Sequence, residues 1–222
     1  MNLQEYPDRE MLAMQLANVL ASELRKCLLV HPFASFAVPG GTSPGPIFDM
    51  ICATELEWDR VHVMLTDERW VAEDDPQSNA RLIKDRLLVD RAAAATFMPF
   101  FRAGKDAEAG AAEVAGGLAD HMPISLLMLG MGDDMHTASL FPGAQGLTAA
   151  LAPDAPLLCA VHPEGQLPRV TLPAHALQGA MSKHLLIYGD AKRAALERAL
   201  HLPAQEAPIA TVLDGLTVHW AA

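Results

Sequence analysis

The sequence predicts an α/β protein of three layers, in which helices cover both faces of a mainly parallel, Rossmann-like sheet. Short apolar runs bounded by glycine or proline alternate with longer segments of helical periodicity, and this order is typical of βαβ units. The composition agrees, because 51% of the 222 residues are hydrophobic and only 5% are aromatic. A single domain spanning 1–222 is expected at this length, although two domains are also compatible with it.

The elements follow one another along the chain. Asp8 is expected to cap a first helix with apolar positions from Leu12 to Cys27, and the pair His31-Pro32 ends it. Asp190 is expected to cap the last helix. The segment 143–156 is expected to be a loop. Strands are predicted at 33–38, 61–66, 96–100, 124–129, 157–161, 169–172, 184–188, 209–213 and 216–220, and further helices at 44–52, 79–88, 105–119 and 190–200.

Composition and charge exclude several classes of function. The formal net charge of −11 argues against a nucleic-acid-binding protein or one that binds anionic membranes. The three cysteines are far apart, which argues against a disulfide framework and a zinc site. The N-terminus is polar, unlike a signal peptide, and no apolar run reaches the roughly 18 residues of a membrane span. We therefore expect a cytoplasmic protein.

Four polar clusters directly follow predicted strands. Because the carboxyl ends of parallel strands share one edge of a sheet, we expect the clusters to meet in one crevice. They are Gly40-Gly41-Thr42-Ser43, Asp67-Glu68-Arg69, Gly130–His136, and Gly189-Asp190 with Lys192.

The first cluster can hold a phosphate, since glycines bring backbone N–H groups close to a ligand and Thr42 and Ser43 add hydroxyl donors. A plain turn is the alternative. No Walker or GxGxxG pattern is present, which disfavours nucleotides. Lys192 opposes the dipole of the helix it begins, as a cation facing a bound anion would, but it is also compatible with a solvated surface lysine. Arg81 and Arg169 are further candidates for anion contacts, with surface ion pairs as the alternative.

The third cluster predicts acid–base chemistry. His136 can accept a proton from water near neutral pH, and Asp134, two residues earlier, can orient the imidazole and stabilise its charged form. A metal bound by the two side chains is the alternative, but no second histidine lies beside them at ligand spacing.

These residues resemble the 6-phosphogluconolactonase family. The similarity extends in order from about residue 38 to residue 192. GMGDDMHTASLFP at 130–142 is similar to the family's GxGxDGHTASLFP segment, and further matches are GGTSP at 40–44, DER at 67–69 with SN at 78–79, RVT at 169–171 and the G-x-x-K at 189–192.

The chain departs from the family pattern at two positions. Met135 replaces the glycine of the DGH triplet, and Glu164 stands where the family often has a lysine, which places more of the phosphate contact on Arg169 or Lys192. The related glucosamine-6-phosphate deaminases have a glutamate five residues after the histidine, where this chain has Phe141. The tripeptide ending in Arg69 also differs from the deaminase DEY. Both differences favour the lactonase.

The resemblance implies hydrolysis of 6-phospho-D-glucono-1,5-lactone without a cofactor or metal, by a monomer or homodimer. A deaminase-like enzyme and a non-catalytic phosphosugar sensor remain as alternatives. The catalytic residues would be His136, Asp134 and Arg69. The residues expected to bind substrate or phosphate are Gly40, Gly41, Thr42, Ser43, Asp67, Arg81, Gly132, Arg169 and Lys192.

Overall fold

The computed structural model describes all 222 residues, with helices and strands alternating along the chain. The strands are β1 (Asn2–Glu5), β2 (Ala34–Val38), β3 (Val61–Leu65), β4 (Asp67–Arg69), β5 (Thr96–Met98), β6 (Leu126–Gly130), β7 (Cys159–Val161), β8 (Arg169–Thr171), β9 (Lys183–Tyr188) and β10 (Leu216–Ala221). The α-helices are α1 (Arg9–Leu28), α2 (Gly45–Ile51), α3 (Asn79–Arg86), α4 (Ala107–Leu118), α5 (Leu147–Leu151), α6 (Ala174–Gln178) and α7 (Asp190–Ala199). Short 3-10 helices lie at Trp58–Arg60, Asp90–Ala94, Ala119–His121 and Pro208–Val212.

A seven-stranded sheet forms the centre of the protein, in the order β1-β10-β9-β6-β2-β3-β5. All of its strand pairs are parallel, and helices flank it, which confirms the predicted three-layer α/β class. Every residue of β2 is buried, as expected for a strand covered on both faces. The buried hydrophobic residues from Leu12 to Ala221 form one continuous core. None of the helices is long and apolar enough to cross a membrane.

A second, antiparallel sheet of three short strands, in the order β4-β8-β7, was not predicted. The DER tripeptide does follow a strand, but after one intervening residue, Thr66, it pairs with β8. The Thr66 N–H donates to Val38 in the large sheet, and its carbonyl accepts from Leu172, which follows β8. Thr66 therefore connects the two sheets beside the carboxyl end of β3.

Several predicted elements need correction. The segment 209–213 is not a strand, because Pro208 begins a 3-10 helix that buries Ile209 and Val212, three residues apart, on one side. The supposed loop at 143–156 contains α5. Asp190 does not cap α7: it is the first helical residue, and the cap position is occupied by Gly189 at φ 81°. The polar N-terminal residues, for which no strand was predicted, form the edge strand β1.

A chain of buried polar side chains lies away from the crevice and joins α1 to β9 and β10. The ring of His184 contacts Glu23 Oε2 through Nε2 at 2.8 Å and His219 Nε2 through Nδ1 at 3.0 Å. The other ring nitrogen of His219 lies 2.7 Å from the Tyr6 hydroxyl. Burial, together with the neighbouring His184, lowers the pKa of His219 to about 4, so this ring is neutral at pH 7.

Candidate active site

The predicted crevice lies at the carboxyl ends of β2, β6 and β9, with the small sheet forming one wall. Its volume is about 270 Å³, which is at the lower end of the roughly 300–1,000 Å³ typical of small-molecule sites. The structure brings together residues from all four polar clusters. The predicted site residues that line the crevice are Gly40, Gly41, Thr42, Ser43, Asp67, Arg69, Gly132, His136, Arg169 and Lys192.

Asp134 and His136 form a close pair in the turn after β6. Asp134 Oδ1 lies 2.5 Å from Nδ1 of the His136 ring and also accepts from the backbone N–H of His136 at 3.2 Å. An ionised carboxylate only accepts, so Nδ1 carries the proton and Nε2 of a neutral ring is the free basic nitrogen. The pair therefore has the tautomer that a general base requires.

Gly132 makes room for this pair. A Cβ atom on Gly132 would lie 2.2 Å from His136 Nδ1 and 2.5 Å from Asp134 Oδ1, so no side chain fits there. The backbone N–H of Gly132 donates to the carbonyl of His136 at 3.0 Å. The turn thus closes on itself, and the glycine is required for the close approach of both functional side chains.

Met135 adopts the left-handed backbone conformation, with φ 66°, which favours glycine. Its N–H donates to Gly132 at 3.0 Å, and its carbonyl accepts from Ile209 at 3.1 Å. Its partly buried side chain packs against the hydrophobic core. The turn therefore keeps a glycine-type conformation despite the side chain, and the 3-10 helix at Pro208–Val212 helps to hold it.

Phe141 packs against the ring of His136. Its ring is stacked on that of His136, with the centroids 4.0 Å apart and the planes at 27°. The guanidinium carbon of Arg169 lies 4.9 Å from the same ring centroid. Phe141 is buried and does not line the crevice itself.

Two arginines lie opposite each other on neighbouring strands of the small sheet. Arg69 and Arg169 are direct partners in the β4–β8 ladder, and like charges directly opposite destabilise a strand pair. The Nε atoms of both are buried without a hydrogen-bond partner. Burial and then the charge of Arg69 lower the pKa of Arg169. Paired cations with unused donors are suited to an anionic ligand.

The DER segment divides its roles between the crevice and the fold. Asp67 faces the crevice, accepts from Ser139 Oγ at 2.6 Å, and lies 4.0 Å from a guanidinium nitrogen of Arg169. Glu68 points the other way and accepts from the backbone N–H groups of Asn79 and Ala80 at the start of α3. Burial raises the pKa of Glu68 despite these hydrogen bonds.

The glycine turn after β2 is packed on α3. A Cβ on Gly40 would lie 1.9 Å from Oδ1 of Asn79, while Gly41 has φ 85°. Asn79 in turn donates to the carbonyl of Asp67 at 2.9 Å. Asn79 also lines the crevice, although sequence reasoning did not select it as a site residue; its place in the matched SN segment was the available signal.

Lys192 reaches the crevice from the first turn of α7. Its ammonium donates to the carbonyl of Met131 at 2.8 Å, which holds it beside the loop that carries Asp134 and His136. With Arg69 and Arg169 it supplies three cations against one lining carboxylate, Asp67. The crevice is therefore locally positive although the whole chain carries −11.

Arg81 was predicted to bind phosphate, and the structure does not bring it to the crevice. It lies on the solvent side of α3, where it donates to the carbonyl of Asp74 at 2.8 Å and lies 3.7 Å from Asp85. Helical periodicity explains the difference, because Asn79 and Ala80 take the buried positions of α3. Glu164 is exposed and also lies outside the crevice.

No group of three or more His, Cys, Asp or Glu side chains is placed to bind a metal ion. The chemistry that these residues themselves can perform is proton transfer at His136 and binding of an anion by the arginines. Fold and crevice together define an α/β protein with a positively charged crevice at the strand ends, beside a carboxylate–histidine pair.

Comparison with known proteins identifies the family. Residues 7–220 match the family described as glucosamine-6-phosphate isomerases/6-phosphogluconolactonase, and the chain belongs to it. The chain is 37% identical to a 6-phosphogluconolactonase of Rhizobium meliloti, over 99% of this chain and 98% of that protein. It is 38% identical to a 6-phosphogluconolactonase of Pseudomonas aeruginosa, over 92% and 88%.

A solved structure is also similar over the whole chain. The crystal structure of a 6-phosphogluconolactonase from Shewanella baltica superposes with a TM-score of 0.96 at 32% sequence identity, covering 100% of this chain and 98% of that one.

Proposed function

We propose that the protein hydrolyses 6-phospho-D-glucono-1,5-lactone to 6-phospho-D-gluconate, a step of the oxidative pentose phosphate pathway. The observation that carries the proposal is the Asp134–His136 pair, with Nδ1 engaged and Nε2 free, beside two opposed arginines. The similarity to proteins named 6-phosphogluconolactonase supports the same substrate.

In the proposed reaction, Nε2 of His136 takes a proton from a water molecule as its oxygen attacks the lactone carbonyl carbon. Asp134 keeps the ring in place and stabilises the imidazolium that forms. The tetrahedral intermediate carries an oxyanion, which Arg69 or backbone N–H groups stabilise. The ring C–O bond then breaks, and the imidazolium returns its proton to the leaving ring oxygen. No metal or organic cofactor enters this scheme.

Binding of the phosphate group holds the lactone near the base. Arg169 and Lys192 provide the charges, while Thr42 and Ser43 provide hydroxyl donors. A phosphate bound at Arg169 also offsets the repulsion between Arg69 and Arg169, which are direct partners in the small sheet. Orientation of this kind lowers the entropic barrier of the attack.

The test is turnover by His136→Asn. Loss of a general base should reduce kcat by at least ~100-fold, after subtraction of spontaneous lactone hydrolysis. The exposed His201, changed in the same way, is the matched control and should leave turnover unchanged. Turnover close to that of the unaltered protein in His136→Asn would contradict the assignment.

The same preparation separates the alternatives. A phosphosugar sensor would bind 6-phosphogluconate without hydrolysing the lactone. A deaminase would release ammonia from glucosamine 6-phosphate, but the buried ring of Phe141 occupies the position of the deaminase glutamate and cannot transfer a proton. Lactone hydrolysis without ammonia release is the expected result.

A further inference from the structure

The hydrogen bond from His136 to Asp134 does not by itself fix the plane of the imidazole. The contact engages only one ring atom, Nδ1, at 2.5 Å. The side chain of Asp134 is 52% exposed, so little packs against it, and that of His136 is 28% exposed. A ring held at one atom by an exposed partner can still tilt, and the direction of Nε2 then varies.

Phe141 supplies the missing constraint. Its ring lies against the imidazole with centroids 4.0 Å apart, and it is only 7% exposed. The backbone between the two residues is tightly turned: Leu140 N–H donates to the carbonyl of Thr137 at 3.0 Å, and Thr137 Oγ1 donates to Gly130 at 2.9 Å. The turn therefore returns a buried aromatic ring to the face of the imidazole.

The same ring contacts the anion-binding side of the crevice. The guanidinium carbon of Arg169 lies 4.9 Å from its centroid, a distance at which a cation is attracted to an aromatic face. A terminal guanidinium nitrogen of Arg169 donates to Gln166, and its buried Nε has no hydrogen-bond partner. One apolar side chain thus touches both the base and a cation of the proposed phosphate site.

We infer that Phe141 is a positioning residue whose ring sets the imidazole of His136 and the guanidinium of Arg169 relative to each other. This inference rests on the proposed lactonase function. The base and the anion anchor must act on one substrate molecule, and a misplacement of about 1 Å costs on the order of 100-fold in rate. The ring keeps both groups aligned without contacting the substrate.

The test compares Phe141→Leu and Phe141→Met, which remove the ring, with Phe141→Tyr, which keeps it. In the two ring-less variants kcat should fall by roughly 10-fold or more and KM should rise, whereas Phe141→Tyr should stay within about twofold of the unaltered protein. The ring protons of His136, assigned in the NMR spectrum by their absence in His136→Asn, should lose the ring-current shift in the ring-less variants only.

A matched control lies at the opposite end of the sheet. Phe33 is stacked on His62 with centroids 4.6 Å apart, remote from the crevice, so Phe33→Leu removes a similar stack. It should leave kcat and KM unchanged, which separates positioning from a general loss of packing.

The inference would be overturned by full kcat and KM in both ring-less variants, or by an unshifted His136 resonance in the unaltered protein. Equal impairment of Phe141→Tyr and the ring-less variants would also overturn it. Failure of the proposed function is recognised separately, because the unaltered protein would then not hydrolyse the lactone, while the NMR comparison still reports the stack.

Discussion

At position 135 a glycine variant should be more stable than an alanine variant, which is the reverse of the usual order of stability. Met135 has φ 66°, where an L-residue with a Cβ is strained by about 1–2 kcal/mol. Glycine escapes this strain but loses about 0.5–1 kcal/mol more conformational entropy on folding than alanine. The difference leaves Met135→Gly more stable than Met135→Ala by about 0.5–1 kcal/mol.

The comparison of alanine with glycine isolates the backbone. Met135 is partly buried against the core, so both variants lose the same side-chain contacts, and this loss cancels between them. For a chain of this size the difference corresponds to roughly 2 °C in Tm. Equilibrium urea unfolding and thermal unfolding of the two variants measure it.

The control is Ala194→Gly, at an exposed position inside α7. At this helical position glycine should lower the free energy of unfolding by about 1 kcal/mol relative to alanine, which is the usual order of stability of the two residues. If Met135→Ala proved as stable as Met135→Gly while Ala194→Gly was destabilising, the reasoning from backbone strain would be refuted.

Three further outcomes are expected. Lowering the pH from 6.5 to 4 should decrease the free energy of unfolding by roughly 3 kcal/mol. Burial lowers the pKa of His219 to about 4, so only the unfolded chain binds a proton at this residue in most of that range. A flat profile of Tm against pH would contradict this. Gly132→Ala places a Cβ 2.2 Å from the imidazole and should reduce kcat at least ~100-fold, whereas Gly117→Ala, whose Cβ meets open space, should not. Arg169→Met should raise KM about 10-fold or more through loss of a charge-assisted hydrogen bond, and Arg81→Met, outside the crevice, should leave KM unchanged.

Six of the seven strands of the large sheet could be predicted because they are short apolar runs, whereas the polar edge strand β1 could not. In the small sheet, β7 and β8 lie within the strands predicted at 157–161 and 169–172, but the three-residue strand β4 was not predicted, since a period of two is not visible over three residues. The run at 209–213 is apolar and short, and such a run does not distinguish a strand from a helical turn. Only the position of Pro208 indicated the helix that forms there.

The same limits apply to the crevice. Its location followed from polar clusters at strand ends, a rule of topology that needs no side-chain detail. The direction of individual side chains did not follow, and Arg81 accordingly lies on the solvent face of α3. The stacking of Phe141 on His136 depends on a tight turn at Thr137–Leu140, and the local composition does not predict this turn.

The pairing of β4 with β8 makes the spacing of the two arginines a property of the backbone. A register shift of one residue would turn Arg169 to the opposite face of the sheet, so the ladder decides whether the two side chains lie on the same face. The connection from 162 to 168 lies outside this ladder. It can therefore change in length and charge while Arg69 and Arg169 keep their opposed positions in the ladder.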